Sequence, residues 1–136
     1  MNSFHLTVVT PDGVQFEGNA AELIVRTLGG DLAVLPGHEN LVCPLGMGQA
    51  TVVTEEGRRT AACIGGTLSV LGGMVRLVPT TFEWADSIDL TRAEEAEKRA
   101  REQLAETKDS TQQRLAEARL KRALVRQSVR KSLSGR

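Results

Sequence analysis

The four prolines and every glycine except Gly135 fall at or before Pro79. From there the chain is written in Ala, Leu, Glu, Gln, Lys and Arg at helical spacing. Gly and Pro punctuate short extended segments and turns, and their absence permits long helices. The chain therefore holds two bodies of opposite character, meeting across Glu83 to Ala93, which reads E-W-A-D-S-I-D-L-T-R-A. They are also oppositely charged. Up to Asp86 there are 4 Lys/Arg against 9 Asp/Glu, and from Ser87 onward 13 against 8. The formal net charge of zero thus hides an acidic first body and a basic second one, a distribution that bears on partners.

In the first body Phe4, Leu6 and Val8 alternate with His5, Thr7 and Val9, the pattern of a half-buried strand. Pro11-Asp12-Gly13 is a turn, so Val14 to Glu17 returns as a hairpin arm. Further strands are expected at Glu22–Thr27, Leu32–Leu35, Ala50–Thr54, Arg58–Ile64, Thr67–Leu71 and Met74–Pro79, with Gly72-Gly73 the strongest turn signal. Eight to ten short strands without an intervening helix predict an antiparallel sandwich or a flattened barrel.

Little in this body reads as catalytic. None of its paired glycines continues as G-K-[S/T] or opens a helix, so they read as turns rather than phosphate loops. His38 beside Glu39 has no Ser or Cys nucleophile in a recognisable elbow, and His5 with His38 lacks the donors of a metal shell. No catalytic residue and no metal site are expected. The loop bearing Asp31, His38 and Glu39 reads instead as a contact surface. Cys43 and Cys63 lie in separate expected strands and are expected to be free, buried thiols. The N-terminus shows no export signal and no apolar run approaches the ~20 residues of a membrane span, which predicts a soluble intracellular protein without direct membrane insertion, compatible with a place in a membrane complex.

The second body predicts two helices. Asp89 or Thr91 can cap the first, with Thr91 and Glu94 fitting a capping box, and it is expected to end near Thr107. Lys108-Asp109-Ser110 is a polar break, Ser110 and Gln113 fit a second box, and the second helix is expected over about Thr111 to Leu133. So short a connection makes the pair an antiparallel hairpin. Its expected seam is Ala93, Ala96, Ala100 and Leu104 against Leu115, Ala118, Ala123 and Leu124, with Ala116 and Leu120 beside them. Alanines bury little area, so such a seam holds weakly, and a strong-propensity hairpin with a weak seam can act as a two-state element.

Arg92 and Arg99 share a face of the first helix, and Arg119, Arg122, Arg126 and Arg130 step by threes and fours along the second. Folding the hairpin levels Arg92 with about Arg126 and Arg99 with about Arg119. Facing guanidinium groups repel unless an anion intervenes. A polyphosphate between the helices, an acidic protein surface, or nucleic acid could supply it. Nucleic acid is disfavoured, because the hairpin has no aromatic residue to stack a base and the first body is acidic.

V-V-T-P-D-G (Val8–Gly13), G-G-D-L-A-V-L-P-G-H (Gly29–His38) followed by L-V-C-P-L, I-G-G-T-L (Ile64–Leu68) and the closing helices resemble, over essentially the whole length, the epsilon subunit of F-type ATP synthase. Ala33 stands where the family more often has Gly. The resemblance implies a mainly β plus α fold, an N-terminal antiparallel β-sandwich over 1–86 and a C-terminal antiparallel two-helix hairpin over 87–136. It implies a non-catalytic rotor subunit at the cytoplasmic face of the bacterial plasma membrane, peripheral and part of a proton-translocating complex. Its sandwich would clamp the gamma subunit to the c-ring, with Asp31, His38 and Glu39 at that interface. The hairpin would fold down, or extend along gamma toward the alpha and beta catalytic subunits and block ATP hydrolysis, with Arg119 and Arg122 meeting an acidic segment there.

Many bacterial members also bind ATP through I-D-x-x-R-A, which Ile88 to Ala93 match without a gap. By that resemblance the ATP contacts fall on Glu83, Ile88, Asp89, Arg92, Ala93, Arg99, Arg122 and Arg126, with ATP a regulatory ligand rather than a required cofactor. Ile88 and Ala93 would pack on the base, the acids would accept from adenine or ribose, and the arginines would meet phosphates. The competing expectation is an unrelated binding module whose basic hairpin docks on an acidic protein or membrane surface, which leaves the Gly29–His38 loop without a role.

Overall fold

The computed structural model describes residues 2–134; Met1, Gly135 and Arg136, the outermost positions of the two expected domains, lie outside the described residues. Ten strands form: β1 (Phe4–Thr10), β2 (Gly13–Ala20), β3 (Glu22–Thr27), β4 (Gly30–Val34), β5 (Leu41–Pro44), β6 (Met47–Thr54), β7 (Gly57–Ile64), β8 (Thr67–Leu71), β9 (Met74–Val78) and β10 (Thr81–Trp84). β2 and β6 run longer than their apolar alternation suggests, because each is held by a full-length hairpin partner, β1 and β7 respectively. Strict alternation in β1 buries Phe4, Leu6, Val8 and Thr10 and leaves the intervening side chains half exposed.

Two five-stranded sheets result, in the orders β2-β1-β9-β8-β5 and β10-β7-β6-β3-β4. Each keeps two edge strands, so the fold is a sandwich and not a flattened barrel. One pairing departs from the antiparallel expectation. β9 lies parallel to β1, with Leu6 opposite Val75 and Val8 opposite Leu77. Hairpin logic cannot foresee that pair, because it joins the first strand to one some seventy residues later, beyond the reach of any turn signal.

The inward faces of both sheets supply a single core in which Leu6, Leu23, Leu68, Leu77, Val25 and Val34 are fully buried. Each such side chain is worth roughly 1.5–3 kcal/mol of burial, which compensates for the scarcity of aromatics. Three of the four aromatics, Phe16, Phe82 and Trp84, gather together. Trp84 packs edge-on to Phe82, with ring centroids 4.9 Å apart, and to Phe16 at 6.5 Å, while the Arg59 guanidinium carbon sits 3.7 Å from its ring centroid. Cys43 is half-buried in β5 and Cys63 buried in β7, both unpaired. Burial pushes the Cys63 thiol up to about 12, which makes it a packing residue rather than a nucleophile.

Beyond β10 come a short 3₁₀ turn at Ala85–Ser87, helix α1 (Leu90–Glu106) and helix α2 (Ser110–Ser134). The chain divides into two compact units, one ending at Trp84 and the other beginning at Ala85. A chain truncated after Asp86 should therefore unfold cooperatively on heating, as a sandwich with its aromatic cluster intact. A broad, non-cooperative melt of residues 1–86 would instead make the helices part of the sandwich's folding unit.

Candidate functional site

The helical unit is built on two aspartate caps. Asp89 is the N-cap of α1, its Oδ1 accepting from the Arg92 backbone N–H at 3.1 Å. Asp109 caps α2, its Oδ1 accepting from Thr111 N at 2.9 Å while its carbonyl takes Gln113 N. The expected boxes on Thr91 and Ser110 do not form, since both residues already lie inside helices. Aspartate precedes each and reaches the free N–H groups first. Gln113 turns its side chain back instead, donating to the Thr107 carbonyl at 3.2 Å and closing the hairpin turn.

The seam of small residues forms, with a correction on α2. Ala93 and Ala100 are buried on α1, and Ala116 and Ala123 on α2, but Leu115 and Leu124 are 45% and 40% exposed. The buried and half-buried positions on α2 fix where its stripe lies. The α2 stripe therefore runs through Ala116, Leu120, Ala123 and Gln127, one position away from the expected leucines. Gln127 is buried, and its Nε2 donates to the Ala93 carbonyl at 3.3 Å and to Glu97 Oε1 at 2.8 Å. Glu97 also accepts from Arg101 Nε at 2.8 Å. Hydrogen bonds from Gln127 and then Arg101 hold the Glu97 carboxyl below the usual carboxylate value.

Between the helices lies an open cleft of about 280 Å³ lined by Ala96, Arg99, Ala100, Gln103, Arg119, Arg122 and Arg126. Four guanidinium groups thus face one space whose floor is alanine. Arg119 Nη1 donates across it to Gln103 Oε1 at 3.3 Å. Among the described residues neither Arg99 nor Arg122 takes part in an ion pair. A second cleft of about 270 Å³ continues to the hairpin tip, lined by Gln103, Glu106, Thr107, Gln112 and Arg119. The first cleft is lined by fork-shaped donors and, among the described residues, by no carboxylate.

The remaining candidates are dispersed. Arg92 is exposed in the first turn of α1, which carries no acidic residue, and it does not line the cleft. A cation there opposes the helix dipole by about 0.3–1 kcal/mol, which the Asp89 carboxylate at the N-cap offsets. Asp89 is committed to its cap, and Ile88 and Ala93 are each only 4% exposed. Glu83 belongs to the sandwich, in β10 opposite Ala62 of β7. Gln127 and Glu97 are the residues that sequence reasoning missed. The signal was the phase of a polar side chain standing where the alanine stripe continues.

On the sandwich, Asp31 Oδ1 accepts from Arg26 Nε at 2.7 Å in an exposed pair. His38 N bonds the Leu35 carbonyl, making a turn, and His38 Nδ1 lies 2.7 Å from the Glu39 carbonyl. A carbonyl can only accept, so the ring proton sits on Nδ1. Leu28 and Leu35, at 74% and 53% exposure, flank this polar loop with apolar surface. The loop thus presents a charged pair and a histidine turn beside exposed leucines. Among the described residues no cluster of three or more His, Cys, Asp or Glu is placed to hold a metal, and no helix is long and apolar enough to cross a membrane.

A family model for the ATP synthase delta/epsilon chain beta-sandwich domain matches residues 3–85, and one for the delta/epsilon chain long alpha-helix domain matches residues 86–130. The ATP synthase epsilon chain of an Exiguobacterium species is 42% identical over 132 residues, 96% of this chain and 97% of that one. The epsilon chain of Bacillus velezensis is 37% identical over 129 residues, covering 95% and 98%. In fold, a chain of the Euglena gracilis mitochondrial ATP synthase superposes with a TM-score of 0.82 at 24% identity, covering 98% of this chain and 82% of that one. A chain of the Tetrahymena thermophila mitochondrial ATP synthase central stalk and c-ring does so at 0.70 and 10% identity, covering 93% and 95%. Two family models matched in chain order, and relatives aligned over nearly their full length, place the chain in the ATP synthase delta/epsilon family as an epsilon chain.

Proposed function

We propose that this epsilon chain is a non-catalytic central-stalk subunit of a proton-translocating F-type ATP synthase, peripheral at the cytoplasmic face of the bacterial membrane. Its sandwich joins gamma to the c-ring through the loop of Asp31, His38 and Glu39. Its hairpin inhibits ATP hydrolysis when it opens toward the alpha and beta subunits, and ATP holds it closed. The relatives' names support the complex, and the exposed polar loop edged by Leu28 and Leu35 supports a docking role.

One observation carries the nucleotide reading: Arg99, Arg119, Arg122 and Arg126 converge on one cleft only because the helices are folded together. Opening the hairpin separates Arg99 from the other three and dissolves the site. A ligand shifts an equilibrium only through its differential affinity for the two states, and here the open state offers almost none. Polyphosphate also relieves the repulsion among the arginines that works against closure.

Calorimetric titration of the isolated chain with ATP tests this directly. Binding is expected, and Arg99→Ala or Arg122→Ala should each weaken it by about tenfold or more, the loss of one or two charge-assisted hydrogen bonds. Absence of heat at millimolar ATP, or wild-type affinity in both variants, would leave the cleft a solvated basic face.

A further inference from the structure

We infer that Gln127 is a positioning residue that sets the register of the two helices and so aligns the arginines of the anion cleft; as a role in binding, this rests on the nucleotide reading above. A seam of alanines specifies register poorly, because each turn presents the same small surface to the partner helix. One buried polar side chain changes that, since every slipped arrangement leaves its hydrogen bonds unmade. Gln127 is the only glutamine among the buried residues of the chain as described, at 7% exposure, and it reaches both the Ala93 carbonyl and Glu97, one turn apart on α1. Glu97 is itself braced by Arg101. The crosslink between Gln103 and Arg119 lies in the same register but is exposed, so water competes for it.

The consequence for the cleft is geometric. Gln127 stands next to Arg126 and beyond Arg122 on α2, while its acceptors Ala93 and Glu97 flank Ala96, on the cleft wall. Sliding α2 by one turn moves every α2 side chain by about 5.4 Å along α1. Arg122 and Arg126 would then leave Arg99, and no single phosphate chain could engage all three as before. No polar contact from Gln127 to a ligand is needed for this. It acts through the arginines.

Spin labels at Glu102→Cys and Glu117→Cys, both exposed, read the register in the full chain carrying Cys43→Ser, while Cys63 stays buried. The parent should give one narrow distance. Gln127→Met keeps the side chain's bulk and removes its donors, so helix content by circular dichroism should hold while the distance broadens or shifts. ATP affinity should fall by about tenfold, the equivalent of one well-made charge-assisted bond lost through misalignment. Glu97→Gln keeps an amide oxygen for the Gln127 donor and leaves the Ala93 bond intact, so in that variant the distance should stay narrow. An unchanged narrow distance in Gln127→Met would overturn the register role. A broadened distance with unaltered ATP affinity would overturn only the link to the cleft. If the parent binds no ATP yet Gln127→Met broadens the distance, the nucleotide reading fails and the register role stands.

Discussion

Replacing Gly66 by alanine should destabilise the sandwich by on the order of 3–5 kcal/mol, whereas replacing Gly72 should cost about 1 kcal/mol. Both residues have positive φ, +94° at Gly66 and +58° at Gly72, so both substitutions strain the backbone. They differ in what a methyl group would meet. At Gly72 there is nothing within 4 Å, but at Gly66 it would fall 2.0 Å from the Val78 carbonyl oxygen and 2.6 Å from the Pro79 Cα. Both obstacles are backbone, so no side-chain rotation relieves them. The Gly66 carbonyl also accepts from Leu45 N at 2.9 Å, and Gly65 N donates to the Gly46 carbonyl at 3.0 Å. Pushing the turn outward to admit the methyl therefore breaks the ties between the β7–β8 and β5–β6 connections. Urea denaturation midpoints of the two variants check the contrast. Equal losses would mean that φ alone governs the turn and that the close approach can relax.

That close approach shows what a linear sequence can and cannot display. Gly65-Gly66 announces a turn, and the hairpin about Gly72-Gly73 brings Val78 and Pro79 opposite it, but only the folded backbone shows how close that approach is. The parallel pairing of β1 with β9 lies beyond any turn signal at all. Local signals did locate the hairpins, since Pro11-Asp12-Gly13 and Gly72-Gly73 carry their turn chemistry in adjacent residues. On the helices, composition revealed a small-residue seam but not its phase on α2. Leucine is the larger apolar residue at 115 and 124. The rotation of α2 toward α1 turns both outward, and that rotation belongs to the pair of helices and to neither alone. The arginines were easier to place, because steps of three and four put them on one face whatever the seam does. Arg92 is the exception: it shares the face of Arg99 but lies about two turns nearer the start of α1, and it does not line the cleft.

Charge reversal should separate the two roles proposed for the hairpin, with opposite signs. Arg119→Glu together with Arg122→Glu should raise the ATP hydrolysis rate of the assembled complex, because an acidic helix face would repel the acidic surface it is proposed to meet. The same double variant removes two of the four cleft arginines, so its activity should also lose any dependence on free nucleotide as a regulator. Arg99→Ala acts differently. It lies on α1 and is not one of the arginines proposed to meet the acidic surface, so its loss should weaken only the closed state's hold on ATP. At an ATP concentration ten times the parent's Kd, a tenfold loss of affinity lowers the ligand's contribution to the closed-to-open ratio roughly fivefold. Hydrolysis should then fall below the parent rate while the double reversal rises above it. Steady-state ATPase assays on complexes with complete epsilon incorporation measure both. If the two variants shift the rate in the same direction, the arginines of α2 do not work through charge, and inhibition rests on the bulk of the extended helix alone.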